Sequence, residues 1–296
     1  MSHILTLVAP AGALDVALVA RVRTALDALG AAPGTPDWLA EREAADIPFT
    51  GAAEQAVAAA RAALAEAPVD AIATAAEGRR KRLLIADMDS TIVTTETLDE
   101  IAAFAGLKEK IADITRRSMN GELDFRQALI ARVGMLEGLS VSALDATWAE
   151  TRMMPGAAEL VGTMRAHGAV CCLASGGFTF FTGRVAEKLG FHHHVSNTLL
   201  IEDGKLTGGV AEPIFDRHAK LTTLTQLAAE NALPLEAAVA VGDGANDLDM
   251  IKAAGLGVAF RAKPVVAAAA RAKVDHGDLT ALLFAQGYRR SAFVTR

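Results

Sequence analysis

Apolar segments alternate with amphipathic ones from residue 81 to the end of the chain, and this alternation constrains the fold more than any other feature. Four short segments have the composition of buried strands: RLLIAD from residue 82, AVCCLASGG from 169, AVAVGDG from 238 and GLGVAF from 255. Helical patterns separate them. The pattern predicts an α/β fold, a Rossmann-like and mostly parallel sheet with helices on both faces.

The segment between the first two strands is far longer than one crossover needs. Helical periodicity covers 97–105, 108–118, 124–137 and 140–150. We therefore predict an inserted helical cap at about residues 96–155. Because the insertion follows the carboxyl end of a strand, where open α/β sheets bind their ligands, the cap is expected to contribute to the site.

Residues 1–77 have the pattern of a separate, small α/β module, with a strand at each end and two helices between them. Pro33, Pro36 and Pro48 make paired strands between the helices a weak prediction. The basic run GRRKR at 78–82 is interpreted as a solvated junction with a second domain, residues 78–296, and not as a nucleic-acid patch.

Composition limits the partners of the chain. The 296 residues carry a formal net charge of −6, which argues against nucleic acid or an acidic membrane as a general partner. The first residues do not resemble a signal peptide, and no apolar run approaches the roughly 20 residues of a membrane span. Adjacent Cys171 and Cys172 suit buried thiols in a reducing compartment. We therefore expect a cytoplasmic protein.

Two aspartates follow the first strand of the predicted sheet. Asp87 comes directly after LLIA, and Asp89 lies two residues further on. Residues two apart in extended chain share a face, so both carboxylates can reach the same small volume. Two close carboxylates repel each other unless they share a proton or bind a divalent cation. Either arrangement would support catalysis.

Two further segments supply groups that suit an anion. Ser175, Gly176 and Gly177 are expected at a strand-to-helix turn, where a hydroxyl and backbone N–H groups can hold phosphate oxygens. Lys220 begins a helical pattern and offers a point positive charge.

The third strand ends in VGDGAND, which places Asp243, Asn246 and Asp247 close together. Its glycines permit close backbone approach, and its acidic oxygens are the ligands that Mg²⁺ prefers.

These four motifs, in this order, resemble those of the haloacid-dehalogenase (HAD) superfamily of phosphotransferases. Longer matches, including DMDSTIVTTETLDEIA, MNGELDFRQALIARVGML, LASGGF and VGDGANDLDMI, resemble the phosphoserine phosphatase family within it. The resemblance covers roughly residues 80–290. It implies a HAD fold and Mg²⁺-dependent hydrolysis of O-phospho-L-serine, a small-molecule substrate, to L-serine and phosphate, the last step of serine biosynthesis.

The resemblance also implies a role for each motif residue. Asp87 would be the nucleophile that forms an aspartyl phosphate, and Asp89 the general acid and then the base. Mg²⁺ would be bound by Asp87, the main-chain carbonyl of Asp89 and Asp243, with Asp247 in support. Phosphoryl oxygens would be held by Ser175, Gly176 and Lys220, with Asn246 as a neighbouring polar contact.

Substrate choice would belong to the cap. Phe125 and Arg132 are seven residues apart and therefore share one helix face. The resemblance assigns the substrate carboxylate to Arg132 and the amine to Glu96, with Met119 and Phe125 excluding water. The structural alternatives are that Glu96 simply begins a helix, that Arg132 is a surface residue and that Phe125 belongs to the core.

Other interpretations stay open at this point. The chain could act on another small phosphomonoester such as phosphohomoserine, or transfer the phosphate to another alcohol. It could also be a phospho-aspartate signalling receiver, or an amino-acid-binding regulatory protein built on the first module. That module loosely resembles an ACT-type regulatory domain, so feedback by serine and a homodimer through this module are hypotheses.

Overall fold

The carboxy-terminal part of the chain forms a parallel sheet, as the alternation predicted, but the sheet has six strands, and its two edge strands, at 193–197 and 272–274, were not predicted. The structure is a computed structural model, which describes residues 2–295. The strands are β5 (Leu83–Ala86), β6 (Val170–Phe178), β7 (His193–Asn197), β10 (Ala238–Gly242), β11 (Leu256–Phe260) and β12 (Ala272–Val274). Their order is β12-β11-β10-β5-β6-β7, and each neighbouring pair is parallel.

Both faces of this sheet are covered by helices, which explains why its strands are continuous apolar runs. Successive residues of β5 pack on opposite faces: Leu83 belongs to one buried cluster and Leu84 to another. The helices that follow the strands or precede them are α7 (Ala157–Ala166), α8 (Thr179–Leu189), α9 (Arg217–Glu230), α10 (Leu248–Ala253), α11 (Pro264–Ala269) and α12 (Ala281–Ala285).

The insertion after β5 is helical, as predicted. Its helices are α3 (Thr97–Ala103), α4 (Lys108–Met119), α5 (Phe125–Gly134) and α6 (Ser142–Glu150). Their buried apolar residues, among them Ile101, Ile111 and Leu129, join the main hydrophobic cluster of the sheet. The cap therefore shares a hydrophobic core with the sheet and is not detached from it.

A small antiparallel hairpin, β8 (Leu199–Glu202) and β9 (Lys205–Val210), packs beside α5. This hairpin was not predicted from the sequence. Leu200 and Ile201 of its first strand are exposed, so the strand lacks the buried apolar run on which the other strands were predicted.

The first module has the order β1 (Ser2–Val8), α1 (Val16–Ala28), β2 (Asp37–Ala40), β3 (Ala44–Thr50), α2 (Ala53–Leu64) and β4 (Asp70–Ala75). Its strands form an antiparallel sheet in the order β2-β3-β1-β4, with its own hydrophobic cluster. This is a βαββαβ arrangement of the ferredoxin-like kind. The strands that were predicted only weakly are present. Pairing of β2 with β3 reaches only Asp46, so Pro48 breaks no hydrogen bond on that side.

The junction between the module and the sheet is an ion-paired contact, which corrects the interpretation of residues 78–82 as merely solvated. The guanidinium of Arg79 donates to Asp46 at 2.5 and 2.7 Å, to Thr6 at 2.7 Å and to the carbonyl of Ala285 at 2.8 Å. On the other side of the interface, Asp70 accepts hydrogen bonds from the backbone N–H groups of residues 275–277.

No helix within residues 2–295 combines the length and the apolarity that crossing a membrane requires.

Cys171 and Cys172 are unbridged and buried, as predicted. Burial raises the pKa of each thiol to about 12.

Candidate active site

The predicted catalytic residues meet at one edge of the parallel sheet. Strands β10, β5 and β6 are neighbours and parallel, so their carboxyl ends bring Asp243, Asp87 and Ser175 together. All three are buried, with at most 3% of each residue exposed. The backbone N–H of Asp87 donates to the carbonyl of Val241 at 3.0 Å, which continues the ladder one residue beyond β5 and fixes the start of the loop.

Lys220 lies between two carboxylates at the base of this edge. Its Nζ donates to Asp87 Oδ1 at 2.5 Å and to Asp247 Oδ1 at 2.6 Å, and the side chain is fully buried. Helix α9 places it there: Asp216 caps the helix through a 3.0 Å hydrogen bond from Ala219, one residue before the lysine. Lys220 thus positions the predicted nucleophile directly. Its contact with phosphoryl oxygens stays a prediction.

The pKa values of these groups reflect a crowded acidic site. Burial raises the pKa of Asp87 to about 7, against the lowering effect of Lys220. Burial and then Glu96 raise the pKa of both Asp89 and Asp243 well above the ordinary value. Burial alone would lower the pKa of Lys220, but its two carboxylate partners outweigh that effect and raise it. The site holds more negative than positive charge and would be stabilised by a further cation.

The carboxylates fit a hard divalent cation. Each of three aspartates offers one carboxylate oxygen, and these three oxygens lie within 4.8 Å of one another: Asp87, Asp243 and Asp247. Asp243 Oδ2 is buried without a hydrogen-bond partner and forms only a 3.6 Å ion pair with Lys263 Nζ, while its Oδ1 accepts from Thr91 at 3.3 Å. A buried carboxylate oxygen without a hydrogen bond is stabilised by a nearby cation or a proton. The donor set is oxygen only, which suits Mg²⁺.

Asp247 occupies a supporting position in this cluster. Its Oδ1 accepts from Lys220, and its Oδ2 accepts from the backbone N–H of Gly244 at 3.0 Å. Both oxygens are therefore already engaged. That is consistent with the predicted supporting role, whereas Asp243 has one oxygen that accepts no hydrogen bond.

The Ser-Gly-Gly segment was predicted as a turn, but it lies in the last part of β6, directly beside the aspartates. Ser175 Oγ accepts from the N–H of Gly177 at 2.9 Å. A Cβ at position 177 would lie 2.8 Å from Asp89 Oδ2, and one at position 176 would lie 2.8 Å from the ring of Phe125. Both glycines are needed for this close approach, Gly177 to Asp89 and Gly176 to Phe125 of the cap.

The cap closes the site from above. A cavity of about 20 Å³ is lined by Asp87, Asp89, Glu96, Leu98, Met119, Phe125, Leu129, Arg132, Ser175, Gly176, Gly177, Phe178 and Asn246. This volume holds one or two water molecules and no phosphorylated amino acid. The space between the cap and the sheet is therefore narrow, and we expect the cap to move when substrate enters.

The four cap residues that were expected to select the substrate all line this cavity: Glu96, Met119, Phe125 and Arg132. Arg132 and Phe125, two turns apart on α5, both reach the cavity wall. Arg132 is 4% exposed, which excludes the surface alternative. Glu96 precedes α3, but its side chain makes no capping bond; instead Glu96 Oε1 accepts from Ser90 Oγ at 2.7 Å.

Three residues of the cavity wall, Leu98, Leu129 and Phe178, were not predicted. The apolar residues carried no signal that distinguishes a cavity wall from a core position.

A model of the haloacid dehalogenase-like hydrolase family matches residues 84–252, more than half of the chain. The chain belongs to the haloacid dehalogenase-like hydrolases. In this hydrolase the matched region runs from β5, through the cap, to α10, and so includes every residue of the site described above.

The hydrolase is similar to proteins named phosphoserine phosphatase. One from Streptomyces coelicolor is 45% identical over 219 residues, which are 74% of this chain and 53% of that protein. The chain thus spans about half the length of the curated relatives it matches.

Two solved structures are also similar. A phosphoserine phosphatase with an analogue of the phospho-aspartyl intermediate is 38% identical, with a TM-score of 0.67, over 69% of this chain and 98% of that chain. A probable phosphoserine phosphatase from Vibrio cholerae, in its unliganded form, is 33% identical with a TM-score of 0.78. That alignment covers 98% of this chain and 88% of that chain.

Proposed function

We propose that this chain is a phosphoserine phosphatase, which hydrolyses O-phospho-L-serine to L-serine and phosphate through an aspartyl phosphate on Asp87. One observation carries the proposal: a single cavity joins Asp87 and Asp89 to a buried arginine and a glutamate on the cap. A phosphorylated amino acid needs the two aspartates for its phosphate, a cation for its carboxylate and an anion for its amine. The relatives named above support the same substrate.

The chemistry begins with attack of an Asp87 oxygen on phosphorus, which breaks the bond between phosphorus and the serine oxygen. Lys220 holds the attacking carboxylate in place through its 2.5 Å hydrogen bond. Asp89 gives its proton to the departing serine oxygen, which leaves as an alcohol and not as an alkoxide. Asp89 then takes a proton from the water that hydrolyses the aspartyl phosphate and regenerates Asp87.

The metal of this reaction, we propose, is Mg²⁺, held by Asp87, the main-chain carbonyl of Asp89 and Asp243. When bound, Mg²⁺ supplies positive charge that offsets repulsion between a carboxylate nucleophile and an anionic phosphate. Asp247 supports the site by fixing Gly244 and Lys220. Ser175 and Gly176 are proposed to hold phosphoryl oxygens, with Asn246 alongside.

Recognition of the amino acid is assigned to the cap. Arg132 would bind the carboxylate, because it is a buried cation on the cavity wall, and Glu96 would bind the amine. Met119 and Phe125 pack over the glycines of the core loops, within 2.6 and 2.8 Å of the Cβ positions at 244 and 176. Closure over the substrate would therefore exclude water.

The receiver interpretation is less well supported. A receiver has no helical cap at this position and places its acceptor on a later strand than its metal-binding acids. Here α3–α6 follow the first strand of the parallel sheet, and Asp87 ends that strand.

Phosphate release from a panel of phosphorylated small molecules tests the proposal. We expect O-phospho-L-serine to be preferred over phosphohomoserine, and EDTA to abolish the activity until Mg²⁺ is restored. Arg132→Ala should raise the KM for phosphoserine, whereas Arg126→Ala, which removes an exposed arginine of the same helix, should not. Metal-independent activity, or equal use of phosphomonoesters without a carboxylate, would contradict the proposal.

We also propose that the enzyme is cytoplasmic and that its first module serves regulation by serine and pairing of two chains. The βαββαβ order of that module and the two buried free thiols support these points. Titration of the full chain with L-serine, with activity and sedimentation measured together, tests the module; an unchanged rate and mass would contradict both roles.

A further inference from the structure

A chain of three buried polar side chains lies behind the cavity wall of the cap. Arg132 Nη1 donates to Thr115 Oγ1 at 2.8 Å, and Thr115 Oγ1 is 2.6 Å from Asp99 Oδ1. At most 8% of each of the three residues is exposed. The chain links α3, α4 and α5, so one hydroxyl on the middle helix connects a carboxylate on the first to a guanidinium on the third.

The geometry leaves part of the Arg132 guanidinium for a ligand. Its Nε donates to the carbonyl of Ala128 at 3.1 Å, and one Nη1 hydrogen goes to Thr115. A guanidinium carries five N–H donors in a rigid fork. No further acceptor for it lies among the residues that the structure describes, and Arg132 is part of the cavity wall. The two bonds thus fix the plane of the fork while the other donors stay available.

Thr115 is suited to this task because its hydroxyl can accept and donate at the same time. It accepts from Arg132, and its own proton faces either Asp99 or, at 3.1 Å, the carbonyl of Ile111. The Asp99 carboxylate is the closer acceptor and makes a charge-assisted bond. Asp99 also places a negative charge near Arg132.

We propose that Thr115, held by Asp99, is a positioning residue that sets the orientation of Arg132 for the carboxylate of the substrate. This inference rests on the proposed function and deepens it. Neither residue touches the reacting atoms. A correctly oriented fork binds a carboxylate through two parallel hydrogen bonds, whereas a guanidinium free to rotate pays conformational entropy for the same contact.

The test compares two substrates in one set of variants. O-phospho-L-serine has the carboxylate, and p-nitrophenyl phosphate has neither carboxylate nor amine. For Thr115→Val we expect the KM for phosphoserine to rise roughly tenfold, the loss typical of a hydrogen bond to a charged group, with kcat little changed. The kcat/KM for p-nitrophenyl phosphate should stay at the wild-type value. Thr115→Ser should restore binding of phosphoserine.

Thr147→Val is the matched control. Thr147 is a buried threonine of the same cap, on α6, and its hydroxyl oxygen has no hydrogen-bond partner. Its replacement should leave both substrates unaffected. In an Arg132→Ala background, Thr115→Val should have no further effect on phosphoserine, because the residue through which it acts is gone.

Three results would overturn the inference: an equal loss on both substrates, failure of Thr115→Ser to restore binding, or a persisting effect of Thr115→Val beside Arg132→Ala. Failure of the proposed function would appear elsewhere. A wild-type enzyme that hydrolyses p-nitrophenyl phosphate but not phosphoserine would refute the substrate assignment, and this inference with it. An active wild type with the wrong pattern among variants refutes the inference alone.

Discussion

At the scale of single residues, the site depends on the absence of side chains as much as on their presence. Gly177 and Gly176 allow the last part of β6 to touch Asp89 and Phe125, respectively. Lys220 illustrates the opposite case, in which one buried ammonium is shared by two carboxylates. A side chain added at either glycine, or loss of the Lys220 ammonium, should alter catalysis by moving the aspartate carboxylates from their present positions.

Gly177→Ala is expected to reduce kcat at least about 100-fold, because the new methyl group would displace the Asp89 carboxylate by a sizeable part of an ångström. The melting temperature should change little. Gly183→Ala on α8 is the control, since its Cβ would meet His194 at an ordinary 3.5 Å. Full activity in Gly177→Ala would show that Asp89 does not need its present position.

Asp99 supplies a prediction about pH. Burial, the largest effect, raises its pKa to about 6, although Thr115 and Arg132 pull it down. Between about pH 4 and pH 6 the folded protein therefore keeps a proton that the unfolded chain has lost, and the free energy of unfolding falls as pH rises.

Asp99→Asn lacks this ionisation. Its free energy of unfolding should match that of the wild type near pH 4 and exceed it above pH 6, by at most about 3 kcal/mol. Urea titrations at about pH 4, 5, 6 and 7.5 measure the difference, because these values cover the range in which Asp99 titrates. A difference that shrinks with rising pH would contradict the assignment.

At the scale of elements, the sequence predicted four of the six parallel strands and the cap helices, but not the edge strands β7 and β12. Each strand of the sheet that was predicted is an apolar run, and each cap helix has a stripe of buried residues at helical spacing. The hairpin β8–β9 has exposed apolar residues and was missed. The role of Arg79 was also missed, because a basic run gives no indication of a distant partner such as Asp46.

The same distinction holds in the site. Asp87, Ser175 and Asp243 were predictable because parallel strands end at the same edge. The bond between Thr115 and Arg132 was not, since it depends on how α4 packs on α5. Local patterns indicate which face of a helix is buried, but not which atoms meet across two helices.

The cap should open on its own, because the cavity of about 20 Å³ is too small for substrate. We expect backbone amides of α4 and α5 to exchange hydrogen at least about tenfold faster than those of β5 and β6. Mg²⁺ with beryllium fluoride, an aspartyl-phosphate mimic, should slow exchange in the cap. Equal protection of cap and sheet, unaffected by the mimic, would argue against opening.

At the scale of the whole molecule, the first module joins the sheet through apolar packing and through a few polar contacts. Four residues of the module belong to the main hydrophobic cluster of the sheet: Val8, Leu39, Ala44 and Ile72. Arg79 bonds Asp46 and Thr6 of the first module and two carbonyls at the end of α12. Asp70 holds the loop after β12 through backbone N–H groups. The buried Arg79–Asp46 pair is the strongest candidate for the bond that makes the two units unfold together.

Arg79→Met should leave Asp46 buried and unpaired, and lower the free energy of unfolding by roughly 3–5 kcal/mol. Calorimetry should then separate the transitions of the module and the sheet. Arg82→Met, at an exposed position of the same basic run, should preserve one transition. Identical scans for the two variants would mean that Arg79 does not couple them.

The central claim is that Asp87 carries the phosphoryl group during turnover. The direct measurement is acid quenching within the first turnover on O-phospho-L-serine with Mg²⁺, followed by mass spectrometry of the digested chain. The account predicts one added phosphoryl group on the peptide that contains residue 87, absent in Asp87→Asn, which should be inactive. An unmodified peptide together with an active Asp87→Asn enzyme would contradict it.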